Sequence, residues 1–440
     1  MTWRPGDRSG GRARLTVALA VALSTALAGC GGSSSQAGAR SSGPSSSTSA
    51  QPAFEPTPHD LAQIRAVVAK RAAALDHDDL QEWLSTVDPD NASLRSHQRV
   101  LFDNLTQLPD LVASYSLDTH ELLVPDPVPG HDPTLRPTAV EHIRFSTFSH
   151  PVGNPLHLTF VRRDGRWVVG ADTEEDDPAH LAAAQERPWF GVPVAVHAAG
   201  PMTVVVDAAE KGSLPRLTTE VHDDIRVVAS LLGLPPRYRL LVDATTNGGS
   251  TSFSSTSKEQ AAAVTFGVYD TNRSGARYTH PAGMVIKINP RLVDRLSTDT
   301  ALIRHELTHY LLSQDYAGGS PKWLSEGIAT WVQYYPDDFR SLAVPAAFYR
   351  RLQHADHRLP IVGLFNDDPA VNYQIAQAAV TWLVDHYGVS RVLALMKAYR
   401  EGYAGPDVDA LTPRLLRTVL GVSEQQVVDG AFGLLASYQH

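Results

Sequence analysis

Residues 305–309 read His-Glu-Leu-Thr-His. On a helix, His305 and His309 fall one turn apart on the same face. Two neutral imidazoles at that spacing can bind one zinc ion. Glu306, beside the first, is placed to take a proton from a metal-held water. Zinc lowers the pKa of such a water to about 7 and polarises a substrate carbonyl. These residue types at this spacing point to hydrolysis of a peptide bond.

Several features put the pentad on a helix. Ser297, Thr298 and Asp299 are N-cap residue types just before it. Leu302, Ile303, Leu307, Tyr310 and Leu311 supply helically spaced apolar positions, and Gly318-Gly319 follow as breakers. The pattern predicts a helix over about 298–313. A catalytic zinc also needs a third protein ligand and one open position. Between 307 and 400 the only glutamate is Glu326. Ser320-Pro321 reads as an N-cap and first-turn pair ahead of it. Trp323, Leu324, Ile328 and Trp331 form an apolar stripe around it. A lone carboxylate on so apolar a helix is costly unless it is paired or metal-bound.

This His-Glu-x-x-His, followed by a second helix carrying Trp323-Leu324-Ser325-Glu326-Gly327, resembles the gluzincin zinc metallopeptidases. More narrowly it resembles the peptidase-MA-like domains of bacterial exported proteins, over roughly residues 190–400. The resemblance implies one zinc ion held by His305, His309 and Glu326, with Glu306 as general base. The 16 residues between His309 and Glu326 are fewer than in thermolysin-like relatives, which leaves only a tight loop over Gln314 to Gly319. Gluzincins often draw a Tyr or His from a second lobe to stabilise the developing oxyanion. Tyr373, in Asn372-Tyr373-Gln374-Ile375-Ala376, is the expected residue here, with Tyr334, His354 and His357 as competitors.

The N-terminus reads as a targeting segment. Arg4, Arg8, Arg12 and Arg14 precede a short apolar run over 15–28. Leu27-Ala28-Gly29-Cys30 resembles the bacterial lipobox. That implies cleavage of residues 1–29, a lipid on Cys30 and an extracytoplasmic place at the cell membrane. Cys30 is the sole cysteine, so no internal disulfide is available to it. Losing 1–29 removes four Arg and one Asp and takes the formal charge from −9 to −12. That balance argues against nucleic-acid partners and against polybasic attachment to an anionic membrane. Residues 30–58, rich in Ser, Gly, Ala and Pro, read as a flexible tether with a reach on the order of 30 Å.

The remaining length exceeds one ordinary core, so two domains are expected, α+β in class. The first spans 59–180. Leu61, Ile64, Val67, Val68, Ala72 and Leu75 mark a helical face. Two further helices, near 78–86 and 91–107, precede strands over 111–123, 139–149, 155–163 and 166–172. Asp164-Gly165 between two apolar runs signals a hairpin. This order resembles the SnoaL-like, ketosteroid-isomerase-like cone fold. His142, His150 and His157 read as surface or packing residues, and the acidic run 172–177 as a solvated linker.

The second domain, 190–440, opens with alternating elements. Strands are expected at Met202–Val206, Leu240–Val242, Val264–Tyr269 and Met284–Ile288, a helix at Leu217–Leu232, and a loop over 245–258. By the gluzincin resemblance, one of the last two strands pairs with extended substrate backbone. Helices near 341–353, 372–387, 389–401, 409–419 and 423–437 complete the chain. His354 and His357 read as an exposed polar face. The expectation is a lipid-anchored zinc metalloprotease acting on a peptide or protein. The alternative is a non-catalytic surface lipoprotein that binds a ligand or envelope component and carries a structural or relic metal site.

Overall fold

The computed structural model describes residues 54–123, 133–156, 158–172, 187–246, 263–271, 278–293, 301–316, 319–336, 346–361, 363, 365, 367–402 and 407–437. Cys30, the leader, most of the tether, His157, residues 173–177, most of the 245–258 loop, Ser297, Thr298, Asp299 and Gly318 lie outside them. Among the described residues no helix is long and apolar enough to cross a membrane. The fold is mixed α+β.

Three helices come first: α1 (Pro58–Asp76), α2 (Leu80–Leu84) and α3 (Ala92–Leu105). A reciprocal capping box starts α1. The Thr57 hydroxyl accepts from the Asp60 N–H at 3.2 Å, and the Asp60 carboxylate accepts from the Thr57 N–H at 2.9 Å. The buried face of α1 is more polar than its apolar spacing predicts. Ile64, Val68 and Leu75 are buried as expected, but so are Asp60 and Arg71, while Leu61, Val67 and Ala72 are only half-buried. The reason is that both polar residues have partners. Trp167 Nε1 donates to Asp60 at 2.9 Å, and the Arg71 guanidinium lies 3.6 Å from the Trp83 ring centre.

The first sheet follows: β1 (Val112–Leu123), β2 (Thr134–Arg144), β3 (Val152–Leu156), β4 (Leu158–Arg163) and β5 (Arg166–Asp172). Its order is β1-β2-β4-β5, with β3 also on β2. The segment expected as one strand over 155–163 is divided. β3 pairs with residues 139–143 of β2, whereas β4 is in register with β2 at Thr134 and Leu135. Strand β2 ends at Arg144, short of the expected 149, because the chain then turns: the Phe148 N–H bonds back to the Phe145 carbonyl at 2.9 Å. The Asp164-Gly165 hairpin is present. Both residues have positive φ, 49° and 78°, between the paired Arg163 and Arg166. A two-residue turn matched to the strand twist requires that conformation.

The second sheet contains β6 (Val194–Ala199), β7 (Met202–Asp207), β8 (Leu241–Ala244), β9 (Ala263–Thr271) and β10 (Tyr278–Ile288). Strand β6 was not expected from the sequence. Helix α4 (Leu214–Leu232) crosses from β7 to its parallel neighbour β8 and stops at Gly233, φ 67°. The sheet order is β6-β7-β8-β10-β9. β10 runs parallel to β8 and antiparallel to β9, so among the described residues β10 is interior and β9 is an edge.

Contacts divide the described residues into two compact units, one drawn from 22–230 and 235–311, the other from 231–234 and 312–440. In the first, one apolar cluster joins α2, α3 and β2 with the second sheet through Trp83, Phe102, Phe145, Trp189, Leu241 and Val285. Ser149 also donates to the Ala282 carbonyl, and the Thr147 and Thr203 hydroxyls bond at 2.6 Å.

Helix α5 (Ala301–Tyr316) has residues in both units. The remainder is helical: α6 (Lys322–Tyr334), α7 (Ala346–Gln353), α8 (Pro369–Tyr387), α9 (Val389–Gly402), the short α10 (Thr412–Leu415) and α11 (Glu424–Ala436). The helix expected over 409–419 is irregular: a 3-10 turn, α10, then a π turn over Leu416–Leu420 that stops at Gly421, φ 77°. At the start of α6, Pro321 rather than Ser320 holds the N-cap position, with no side-chain cap. Gly327 lies against α8, where an added Cβ would come 2.5 Å from the Ala376 carbonyl oxygen.

Candidate metal site

Helix α5 is buried almost all round. His305 is 1 % exposed, Glu306 0 % and Thr308 0 %, among Leu302, Ile303, Leu307, Tyr310 and Leu311. Such a helix is fixed by every face. Arg304 Nε donates to Asp224 on α4 at 2.8 Å, one residue before His305. Burial pushes the Asp224 carboxyl up, against the pull of the Arg304 hydrogen bond and charge. The Tyr310 hydroxyl donates to the Arg239 carbonyl at 3.1 Å, and burial pushes its pKa up to about 12.

The helix brings the two imidazoles together edge-on. His305 Nε2 and His309 Nε2 are 3.2 Å apart, with the rings inclined at 73°. Metal bonds of 2.0–2.1 Å in a tetrahedron would separate two ligand nitrogens by about 3.3 Å. The Glu326 carboxylate, 3 % exposed, completes the group: one ligand atom from each of His305, His309 and Glu326 lies within 4.8 Å of the others. Two imidazoles and a carboxylate are a donor set for a divalent ion, and the set is not peculiar to zinc. The residues present fit such an ion in number, type and spacing.

Glu306 is held differently. The Thr265 hydroxyl on β9 lies 2.7 Å from Glu306 Oε2 and 3.0 Å from the Glu306 backbone oxygen. Oε1 is buried and has no hydrogen-bond partner among the described residues. A buried carboxylate oxygen without a partner costs free energy. It therefore marks a place where a water or substrate proton would be welcome.

The other sequence-expected residues fall as follows. Tyr373 is on α8, 6 % exposed, one turn before Ala376, with its ring edge-on to Phe365 at 5.0 Å. Tyr334 ends α6, half-buried. His354 and His357 lie after α7 and are exposed, with His357 stacked on Phe432 at 3.9 Å. His142 bridges Ser116 at 3.1 Å and Asp270 at 3.2 Å, a packing arrangement between the two sheets. Sequence reasoning missed Thr265 and the Arg304–Asp224 pair. A threonine in an apolar strand signals only strand propensity; its helix partner 41 residues on is visible only in the fold.

No family model matches the chain, and no curated protein matches it. Among solved structures, Rv3472 from Mycobacterium tuberculosis, described as a protein of unknown function, is similar at 15 % identity. The likeness covers 26 % of this chain and 68 % of that one, with a TM-score of 0.20, too low to define a shared fold.

Proposed function

We propose that the chain is a zinc-dependent peptidase held at the outer face of a bacterial cell membrane by a lipid on Cys30. The observation that carries the reading is the convergence of His305, His309 and Glu326 beside a buried Glu306 with an unpartnered Oε1. A bound zinc ion would polarise the scissile carbonyl and acidify the attacking water. Glu306 Oε1 would accept a proton from the attacking water and return it to the leaving amine. Thr265 keeps Oε2 occupied, so the free oxygen is always the same one. Strand β9, last in the sheet order among the described residues, is proposed to pair with an extended peptide backbone, which suits a protein or peptide substrate. Tyr373 is proposed to donate to the developing oxyanion.

Glu306→Gln tests this directly. The variant should keep its metal and lose hydrolysis of an unfolded protein such as casein. Hydrolysis at the wild-type rate in that variant would overturn the proposal.

A further inference from the structure

A second site stands apart from the metal cluster. A cavity of about 480 Å³ opens between α1, the α2–α3 region and the β4–β5 hairpin. Four cations line it, Lys70, Arg95, Arg163 and Arg166, against one lining carboxylate, Asp164. In a chain of formal charge −9 this is a local reversal of sign. Two of the cations are fixed in place. Arg163 bonds the buried Asp88 through Nε at 3.0 Å and Nη2 at 2.9 Å, and Arg95 Nη1 donates to the Leu84 carbonyl at 2.9 Å. Lys70 and Arg166 are exposed and have no ion pair among the described residues. The rest of the wall is largely apolar and includes Trp167.

We propose that this cavity binds a phosphate-bearing anion. Guanidinium forks match phosphate oxygens, and with Arg163 taken by Asp88 the remaining three cations, Lys70, Arg95 and Arg166, still outnumber the one lining carboxylate. The location supplies a source. Trp167 also packs on Phe54, the first described residue, with ring centres 6.0 Å apart. Cys30, proposed above to carry a lipid, is 24 positions before Phe54. On that proposed anchor, phospholipid headgroups and phosphate carried by the envelope are the sources at hand. For its phosphate source the inference rests on the proposed anchor, and not on peptidase activity.

The test is calorimetric titration of the full chain in a non-ionic detergent. The titrants are sn-glycerol 3-phosphate, dihexanoyl phosphatidylglycerol and dihexanoyl phosphatidylcholine. Binding of at least one of the first two, weakened about tenfold or more in the double variant Lys70→Ala/Arg166→Ala, is the expected result. Equal affinity for glycerol phosphate and phosphatidylglycerol would assign the site to phosphate as such; binding of the lipid alone would assign it to a headgroup with its acyl chains on the apolar wall. No binding, equal binding of phosphatidylcholine, or unchanged binding in the double variant would overturn the proposal. Thermal unfolding checks that the variant is folded. If it is not, Lys70→Gln and Arg166→Gln singly replace it under the same criteria.

Discussion

Gly327→Ala puts a single methyl where helices α6 and α8 touch. Its Cβ would sit 2.5 Å from the Ala376 carbonyl oxygen and 2.6 Å from Val380 Cγ2. The valine methyl can rotate away, but the carbonyl belongs to the backbone of α8. Ordinary contact needs roughly 1 Å more, so the helices must part by about that distance. Overpacking of this kind costs about 1–3 kcal/mol, and a backbone neighbour places it at the upper end. Against this stands a gain of about 1 kcal/mol, because alanine is the better helix former. The balance is a loss of about 2 kcal/mol. The displacement also carries Glu326, the preceding residue, and should weaken metal binding by about tenfold or more. Denaturant unfolding and chelator competition measure the two effects. A variant more stable than wild type, with metal affinity unchanged, would refute the packing argument.

Three other outcomes are expected. Thr265→Val removes the hydrogen bond to Glu306 Oε2 and should lower kcat about 10- to 100-fold with little change in bound metal, while Thr265→Ser restores most of it; equal rates for the valine and serine variants would contradict the positioning role. Asp60 has its pKa lowered to about 2, first by the Thr57 hydroxyl bond and then by Trp167 against the cost of burial. Its contribution is present above the unfolded carboxyl pKa near 4 and is lost as pH falls through about 2, so Asp60→Asn should flatten the pH dependence of unfolding over that window; an unaltered profile would remove Asp60 from it. Asp224→Ala removes the carboxylate that accepts from Arg304 Nε and should destabilise the fold by about 1–3 kcal/mol; urea unfolding within error of wild type would show that solvent replaces the carboxylate.

The parts legible in the sequence are those set by near neighbours. The Asp164-Gly165 turn, the helical run of α1 and the helix bearing His305 and His309 depend on residues within a few positions of each other. Glu326 could be singled out because a carboxylate on an apolar helix must have a use. Strand β6 was illegible: Val194–Ala199 is short and ends in small residues, and its identity comes from pairing with β7 across the Gly200 turn. Equally hidden was the choice between β9 and β10 as the edge, since both read as apolar strands and only the parallel pairing of β10 with β8 decides it. Asp60 and Arg71 entered a core that apolar spacing alone would not give them, because Trp167 and Trp83 supply partners from distant elements.

The most direct test of the account is the metal content of the purified full chain beside Glu326→Ala and Glu306→Gln. About one zinc per chain is expected in the wild type and in Glu306→Gln, with a strong reduction in Glu326→Ala. A chain that binds no metal, or one whose metal is indifferent to the loss of Glu326, would contradict the three-ligand site.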